Sequence, residues 1–312
     1  MSLGFVFPGQ GSQSVGMLSE LAAEYALVHE IFAEASEALG LDLWQLVQEG
    51  PTEKLNQTTN TQPAMLTAGV AVWRVWRSSK GSLPDYMAGH SLGEYTALVC
   101  AGAIDFAEAV RLVTDRGRFM QEAVPVGKGS MAAIMGLDDD AVRALCAQAA
   151  EGEVLEAVNF NALGQVVIAG ALGAVQRAVE RATSAGAKRA VPLAVSGPFH
   201  CALMHPAAER MAKRLREVEI RSPQTPVLHN THVETECDPD AIRRALVQQI
   251  ESPVRWVETI EKMAASGIDT LVECGPGKVL SGLNRRIVRD MQTLPVLDPT
   301  SLQEALAKTS GE

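Results

Sequence analysis

Apolar positions along this chain switch between two periods, and the switches mark out its elements. Gly4-Phe5-Val6-Phe7 is a short apolar run closed by Pro8-Gly9, the mark of a buried strand ending in a turn. Residues 18–39 have helical apolar spacing with charged faces, which predicts a helix. Residues 63–78 predict another, with Pro63 near its first turn, where a missing N–H is tolerated. Tyr86-Met87-Ala88 is a second strand-sized run. Gly89-His90-Ser91-Leu92-Gly93 follows, and a helical stretch starts at once over 94–100, giving strand, sharp turn, helix. Residues 105–122 predict an amphipathic, arginine-rich helix.

After Pro125 the pattern changes. Strand candidates at 131–135, 154–159, 165–169 and 189–194 are interleaved with helix candidates at 138–149 and 174–185. The order β-α-β-β-α-β is the split βαβ, or ferredoxin-like, pattern. It occupies 127–197, between Gly127-Lys128-Gly129 and Gly197-Pro198, and predicts a small domain inserted into a larger one made of 1–126 and 198–312. The larger part continues with helices at 207–218 and 241–250 and strands at 227–229 and 270–273. Strands alternating with helices predict an α/β class with a mainly parallel sheet.

Composition narrows the class. With 312 residues, 47% of them hydrophobic, the chain can bury a large core, and 21% charged residues exclude wholesale disorder. A net charge of −10, from 27 basic and 37 acidic side chains, excludes binding to nucleic acid or anionic membrane through bulk charge. An anionic partner needs a local basic patch. The five cysteines form no CxxC pair, and their odd number speaks for reduced thiols in a cytoplasmic protein. No apolar run reaches the roughly 18 residues of a membrane helix, and no export signal is expected. The cysteines and histidines lack ligand spacing, so neither metal nor redox cofactor is expected.

Candidate chemistry begins at Gly89-x-Ser91-x-Gly93, the nucleophile-elbow pattern. Its glycines permit a tight strand-to-helix turn, and the helix N-terminus favours negative charge developing beside the serine. A glycine-rich turn with a capping serine is the competing reading. A serine nucleophile needs a base, and the histidines are His29, His90, His200, His205, His229 and His232. His29 lies in a helix facing solvent, His90 abuts the serine as a wall, and His229 and His232 sit at a strand end and loop. His200 follows Ser196-Gly197-Pro198-Phe199, at the return from the insert, where loops face clefts. The alternative is a histidine satisfied within the core.

Phe7-Pro8-Gly9-Gln10-Gly11-Ser12-Gln13 is a glycine-rich loop, but Ser14 stands where a dinucleotide fingerprint needs its third glycine. Small residues around Gln10 let main-chain N–H groups face an oxyanion. Gly275-Pro276-Gly277-Lys278 fails the P-loop pattern at Val279 and reads as a turn packed beside the first loop. Arg111, Arg116 and Arg118 lie on or near one helix. A buried guanidinium among them would suit a carboxylate gripped at two points.

Taken together the segments resemble the malonyl-CoA:acyl carrier protein transacylases of bacterial fatty acid synthesis. The matches are FPGQGSQ at 7–13, GHSLGE at 89–94, DRGRFMQEA at 115–123, NFN at 159–161, FHCALM at 199–204, QQ at 248–249 and GPGK at 275–278, in family order over essentially the whole chain. The resemblance implies an α/β-hydrolase-like large domain with the ferredoxin-like insert. It implies Ser91 as nucleophile and His200 as base, oriented by a main-chain carbonyl near Gln249 rather than by an acid. It implies the N–H groups of Gln10 and Leu92 as an oxyanion hole, and Arg116 as partner of the malonyl carboxylate. Gln249 and His90 would line the site, and Phe199, an aromatic before the base, would crowd a branched acyl group. Malonyl-CoA would be the donor and acyl carrier protein the partner. Such carriers are acidic, as this chain is, so docking calls for local complementarity, and Lys188, Arg189, Arg285 and Arg286 are the candidate patch, with ordinary surface charge as the competing reading. A monomer is the expected state. A polyketide-pathway acyltransferase and a serine thioesterase are the rival readings.

Overall fold

The structure, a computed structural model, describes residues 2–309. The chain opens with β1 (Leu3–Phe7), α1 (Ser19–Glu24), α2 (Leu27–Leu39), α3 (Leu43–Glu49), α4 (Thr52–Leu55) and α5 (Thr58–Ser78). The elbow strand β2 (Tyr86–Gly89) leads into α6 (Gly93–Cys100) and α7 (Phe106–Glu122). Then come β3 (Gly129–Met135), α8 (Asp139–Ala150), β4 (Leu155–Ala162), β5 (Gln165–Ala171), α9 (Leu172–Ala182) and β6 (Arg189–Pro192). The chain closes with α10 (His205–Leu215), β7 (Val227–Leu228), α11 (Pro239–Glu251), α12 (Trp256–Ala265), β8 (Thr270–Cys274), α13 (Val279–Ile287), β9 (Gln292–Val296) and α14 (Pro299–Thr309).

These strands make two sheets. A five-stranded sheet runs β7-β2-β1-β8-β9 with every pairing parallel. A four-stranded antiparallel sheet runs β4-β5-β3-β6. All five residues of β1 and of β8 are buried, as strands covered by helices on both faces must be. That is why they read as continuous apolar runs. The antiparallel sheet keeps its own core against α8 and α9, built on residues such as Ile134, Val142, Ile168 and Val175. It is also stitched to the larger body. The Phe160 N–H donates to the Val254 carbonyl at 3.0 Å, and the Val254 N–H donates to the Val158 carbonyl at 2.9 Å.

Two helix expectations need correction. The helix over 18–39 is two helices, because Tyr25 takes an extended backbone between α1 and α2. The helix expected from Pro63 begins at Thr58, with Pro63 inside it. One proline removes one backbone bond. The turn before it is anchored independently of that bond: Thr58 and Thr61 are buried, and Thr61 Oγ1 donates to the Leu55 carbonyl at 2.6 Å. Among the described residues no helix is long and apolar enough to cross a membrane.

Candidate active site

The loops at the C-terminal ends of β2, β1 and β8 converge, since these strands are neighbours and parallel. Such an edge is where open α/β sheets place their chemistry. Ser91 occupies the turn between β2 and α6 with φ 51°, a left-handed conformation that costs free energy outside glycine. The flanking glycines make the turn possible. A Cβ on Gly89 would lie 1.9 Å from the Gly93 carbonyl carbon, and one on Gly93 would lie 2.0 Å from the Phe7 oxygen. The strained turn is held by Asn230, just beyond β7. Its Oδ1 accepts the Ser91 N–H at 2.7 Å, and its Nδ2 donates to the Gly89 carbonyl at 2.7 Å.

His200 meets the serine from the other side. The Gln249 carbonyl, which can only accept, lies 2.8 Å from His200 Nδ1, so the ring proton sits on Nδ1. Nε2 is therefore bare, and the Ser91 hydroxyl donates to it at 2.7 Å. Burial, reinforced by the Arg116 charge, pulls the His200 pKa down to about 3, which keeps the imidazole neutral and able to accept a proton. Among the described residues no carboxylate touches this histidine, and the oxygen that meets Nδ1 is a main-chain carbonyl.

Arg116 is 1% exposed. Its Nη1 donates to Gln62 Oε1 at 2.9 Å, and its Nη2 donates to Gln249 Oε1 at 2.9 Å and to Ser91 Oγ at 3.2 Å. The Tyr95 ring lies beneath the guanidinium, 5.3 Å from ring centre to carbon. Burial lowers the pKa of the arginine from its usual value, yet a guanidinium stays charged at any ordinary pH. A permanent, desolvated cation thus sits within hydrogen-bond reach of the Ser91 hydroxyl. Arg111 and Arg118 pair instead with Glu108 and Asp115 at the surface.

These groups open into a cleft of about 190 Å³. Gln10, Leu92 and Phe199 line it together with Ser91, Arg116 and His200. Neither Gln10 nor Leu92 has a hydrogen-bond partner for its main-chain N–H among the described residues. The antiparallel sheet supplies the opposite wall through Met131, Asn159, Asn161 and Val167. His90 closes one end, its Nε2 donating to Asn161 Oδ1 at 2.7 Å. A larger surface groove of about 440 Å³ between α10 and α11 holds none of this chemistry.

With that geometry in view, comparison with known proteins is decisive. The sequence model of the acyl transferase domain matches residues 4–299. The chain belongs to this family. This acyl transferase is 57% identical over 304 residues to the malonyl CoA-acyl carrier protein transacylase of Salmonella typhimurium, covering 97% of this chain and 98% of that protein. Its fold is similar to the acyl carrier protein S-malonyltransferase of Vibrio cholerae, with TM-score 0.96 and 57% identity over 97% of this chain and 99% of that one. It is also similar, with TM-score 0.98 and 54% identity over 99% of this chain and all of the other, to a malonyl-transacylase solved in complex with its type II PKS acyl-carrier protein.

The structure gathers most of the sequence candidates and disperses others. Ser91, His200, Arg116, Gln10, Leu92, Phe199 and His90 all line the one cleft. Gln249 is wholly buried and reaches the site through its hydrogen bonds. His29 is exposed against Trp44, and exposed His205 bonds Glu251, both apart from the site. Among the basic residues, Lys188 and Arg286 line one surface groove. Arg189 is exposed on β6, and Arg285 turns to Thr293 on β9 at 2.8 Å. Sequence reasoning missed Asn230 and Gln62, and it gave no role to Asn161 (in NFN), Glu94 (in GHSLGE) or His229. Each acts through a partner more than fifty residues away, so no local spacing announces it. The one available signal was position: Asn230 follows the strand that pairs with β2.

Proposed function

We infer that this acyl transferase moves a malonyl group from malonyl-CoA to the phosphopantetheine thiol of an acyl carrier protein, through a malonyl ester on Ser91. The observation that carries this is the placement of the Arg116 cation 3.2 Å from the serine oxygen in a family whose close relatives bear that activity in their names. His200 takes the hydroxyl proton as Ser91 attacks the thioester carbonyl. The N–H groups of Gln10 and Leu92 stabilise the tetrahedral oxyanion, each such donor being worth about 3 kcal/mol. Coenzyme A leaves as the thiol, protonated by His200. The carrier thiol then gives its proton to His200 and attacks the ester, which restores Ser91. Arg116 holds the free malonyl carboxylate throughout, and the Phe199 ring fills the space a branched acyl chain would need. The activated thioester supplies the driving force, so the cycle calls for no cofactor.

The architecture supports this role as an α/β-hydrolase-like body, 1–126 and 198–312, carrying a ferredoxin-like insert at 127–197. The β3-α8-β4-β5-α9-β6 order and its β4-β5-β3-β6 sheet favour that description. Lys188 and Arg286, flanked by Arg189, are the part of the proposed carrier surface that lies together. A polyketide carrier is the second reading, favoured by the relative solved with a type II PKS acyl-carrier protein; kcat/KM for the two classes of carrier decides between them. The thioesterase reading is weakened by the carbonyl partner of His200 and by Arg116. The test is Arg116→Ala assayed with malonyl-CoA and acetyl-CoA. Loss of an unpaired carboxylate's buried partner costs about 3 kcal/mol or more, so the malonyl/acetyl ratio should fall about a hundredfold. An unchanged ratio would remove Arg116 as the carboxylate clamp.

A further inference from the structure

Beneath the nucleophile lies a carboxyl group that no step of the transfer uses. Glu94 stands on α6 and is fully buried. Its Oε1 accepts from His229 Nδ1 at 2.7 Å. Its Oε2 accepts from the Asn230 N–H at 2.9 Å and from Gln249 Nε2 at 2.8 Å. A buried carboxyl is costly unless its oxygens are satisfied. Here two of the donors, the Asn230 N–H and Gln249 Nε2, belong to residues that bond Ser91 or Arg116.

The Gln249 amide is held at both ends. Nε2 donates to Glu94 Oε2 and, at 3.0 Å, to the Ser91 carbonyl. Oε1 accepts from Arg116 Nη2 at 2.9 Å. The two ends of an amide have nearly the same shape, so packing alone does not choose between its two orientations. Turned over, Nε2 would face the Arg116 guanidinium, donor against donor, and Oε1 would face Glu94, acceptor against acceptor. Glu94, together with the Ser91 carbonyl and the Arg116 guanidinium, therefore sets which way the amide points, and of the two acceptors at Nε2 it makes the shorter bond. In that orientation Gln249 Oε1 fixes one terminal nitrogen of Arg116, while Gln62 Oε1 fixes the other at 2.9 Å.

We propose that Glu94 is a positioning residue for acyl selection: through the Gln249 amide it aims the Arg116 guanidinium at the carboxylate of the acyl group. This rests on the reading of Arg116 as the carboxylate clamp. Glu94 touches neither substrate nor nucleophile side chain; its effect on acyl selection passes through Gln249, whereas its bond to the Asn230 N–H leads to the Ser91 turn and bears on both acyl groups alike.

That dependence makes the proposal testable by a double-mutant cycle. Glu94→Gln keeps the shape. Its oxygen takes the place of Oε2, and its NH2 faces His229, whose ring proton can move to Nε2, an atom with no partner among the described residues. Gln249→Met removes the relay and leaves Glu94 in place. Acylation kcat/KM with malonyl-CoA and acetyl-CoA is measured for both single variants and the double variant, with Tm as the monitor of folding. Glu94→Gln should lower the malonyl/acetyl ratio about tenfold, the difference between a charged and a neutral acceptor. Gln249→Met should lower it at least as far, and the double variant no further than Gln249→Met alone. An unchanged ratio in Glu94→Gln, or losses that multiply in the double variant, overturns the proposal. Should Glu94→Gln fail to fold, an unchanged ratio in Gln249→Met overturns it alone. If Arg116→Ala collapses the ratio and Glu94→Gln does not, the clamp stands and only the role of Glu94 falls.

Discussion

The two walls of the cleft are built on different principles. The inner wall, at the edge of the parallel sheet, is polar and core-like. Ser91, Arg116, Gln249, Glu94 and Asn230 bond one another through side chains that, apart from the serine, are at most 1% exposed. The outer wall, from the antiparallel sheet, alternates apolar and neutral polar side chains and carries no charge, with Met131 and Val167 beside Asn159 and Asn161. It reaches the inner wall through few bonds, of which His90–Asn161 lies nearest the serine. The difference teaches how one cleft divides its work. Charge and proton position demand fixed geometry, and a network in which each group holds the next provides it. Shape demands only a surface, and β4, with register shifts after Ala157 and Phe160, bends one into place.

The strongest way to break this contrast is to cut the inner wall away from Ser91. Asn230→Ala leaves the Ser91 N–H and the Gly89 carbonyl without their side-chain partner in a strained turn. At about 1–3 kcal/mol for a buried group left unpaired, unfolding stability should drop by about 3 kcal/mol, and acylation should slow with it. A denaturant titration that returned the wild-type midpoint would show that the elbow does not depend on Asn230.

Titration sharpens the contrast next. An exposed imidazole with an ordinary pKa would lose about thirtyfold of its basic form between pH 8 and pH 5. His200, held neutral down to about 3, should lose little. Acylation kcat/KM should stay flat to within about twofold over that range. The sign for stability follows from the same depressed value. Below pH 6.5 the unfolded chain binds a proton that the folded chain refuses, so stability declines as pH falls from 6.5 toward 3. An acid limb near 6.5 in the rate profile would contradict the neutral, buried base.

The smallest expected effect belongs to the outer wall. Asn161→Ala removes one neutral hydrogen bond, to His90, worth about 1 kcal/mol. It should change malonyl kcat/KM by about fivefold or less and leave the malonyl/acetyl ratio alone. A collapse of that ratio would mean that the outer wall also selects the acyl group, and the division of labour would fail.

Much of the inner wall was legible in the sequence because it depends on close backbone contacts. Gly89 and Gly93 had to be glycine, since any Cβ would strike main chain within about 2 Å, and that requirement wrote the elbow pattern around Ser91. The alternation over 129–192 was legible because strands and helices there pack on a small core with clean periodicity. The long-range network was not. Glu94 reads as one more helical acid until β7 is set beside β2 and brings His229 and Asn230 against it. Pro63 misled because helix N-termini tolerate proline so often that the residue looks like a start. Here the buried Thr58 and Thr61 carry the helix one turn further back. The early helices α3 and α4 and the closing elements α12, α13, β9 and α14 went unassigned, their short apolar runs being ambiguous between strand and buried helix.

The central claim is that Ser91 carries the malonyl group between donor and carrier. Intact mass after brief incubation with malonyl-CoA, for the wild type and for Ser91→Ala, tests it most directly. The account predicts one malonyl adduct on the wild type, discharged by carrier thiol, and none on the variant. An adduct that persists in Ser91→Ala, or coenzyme A release by the wild type with no adduct at any time, would contradict it.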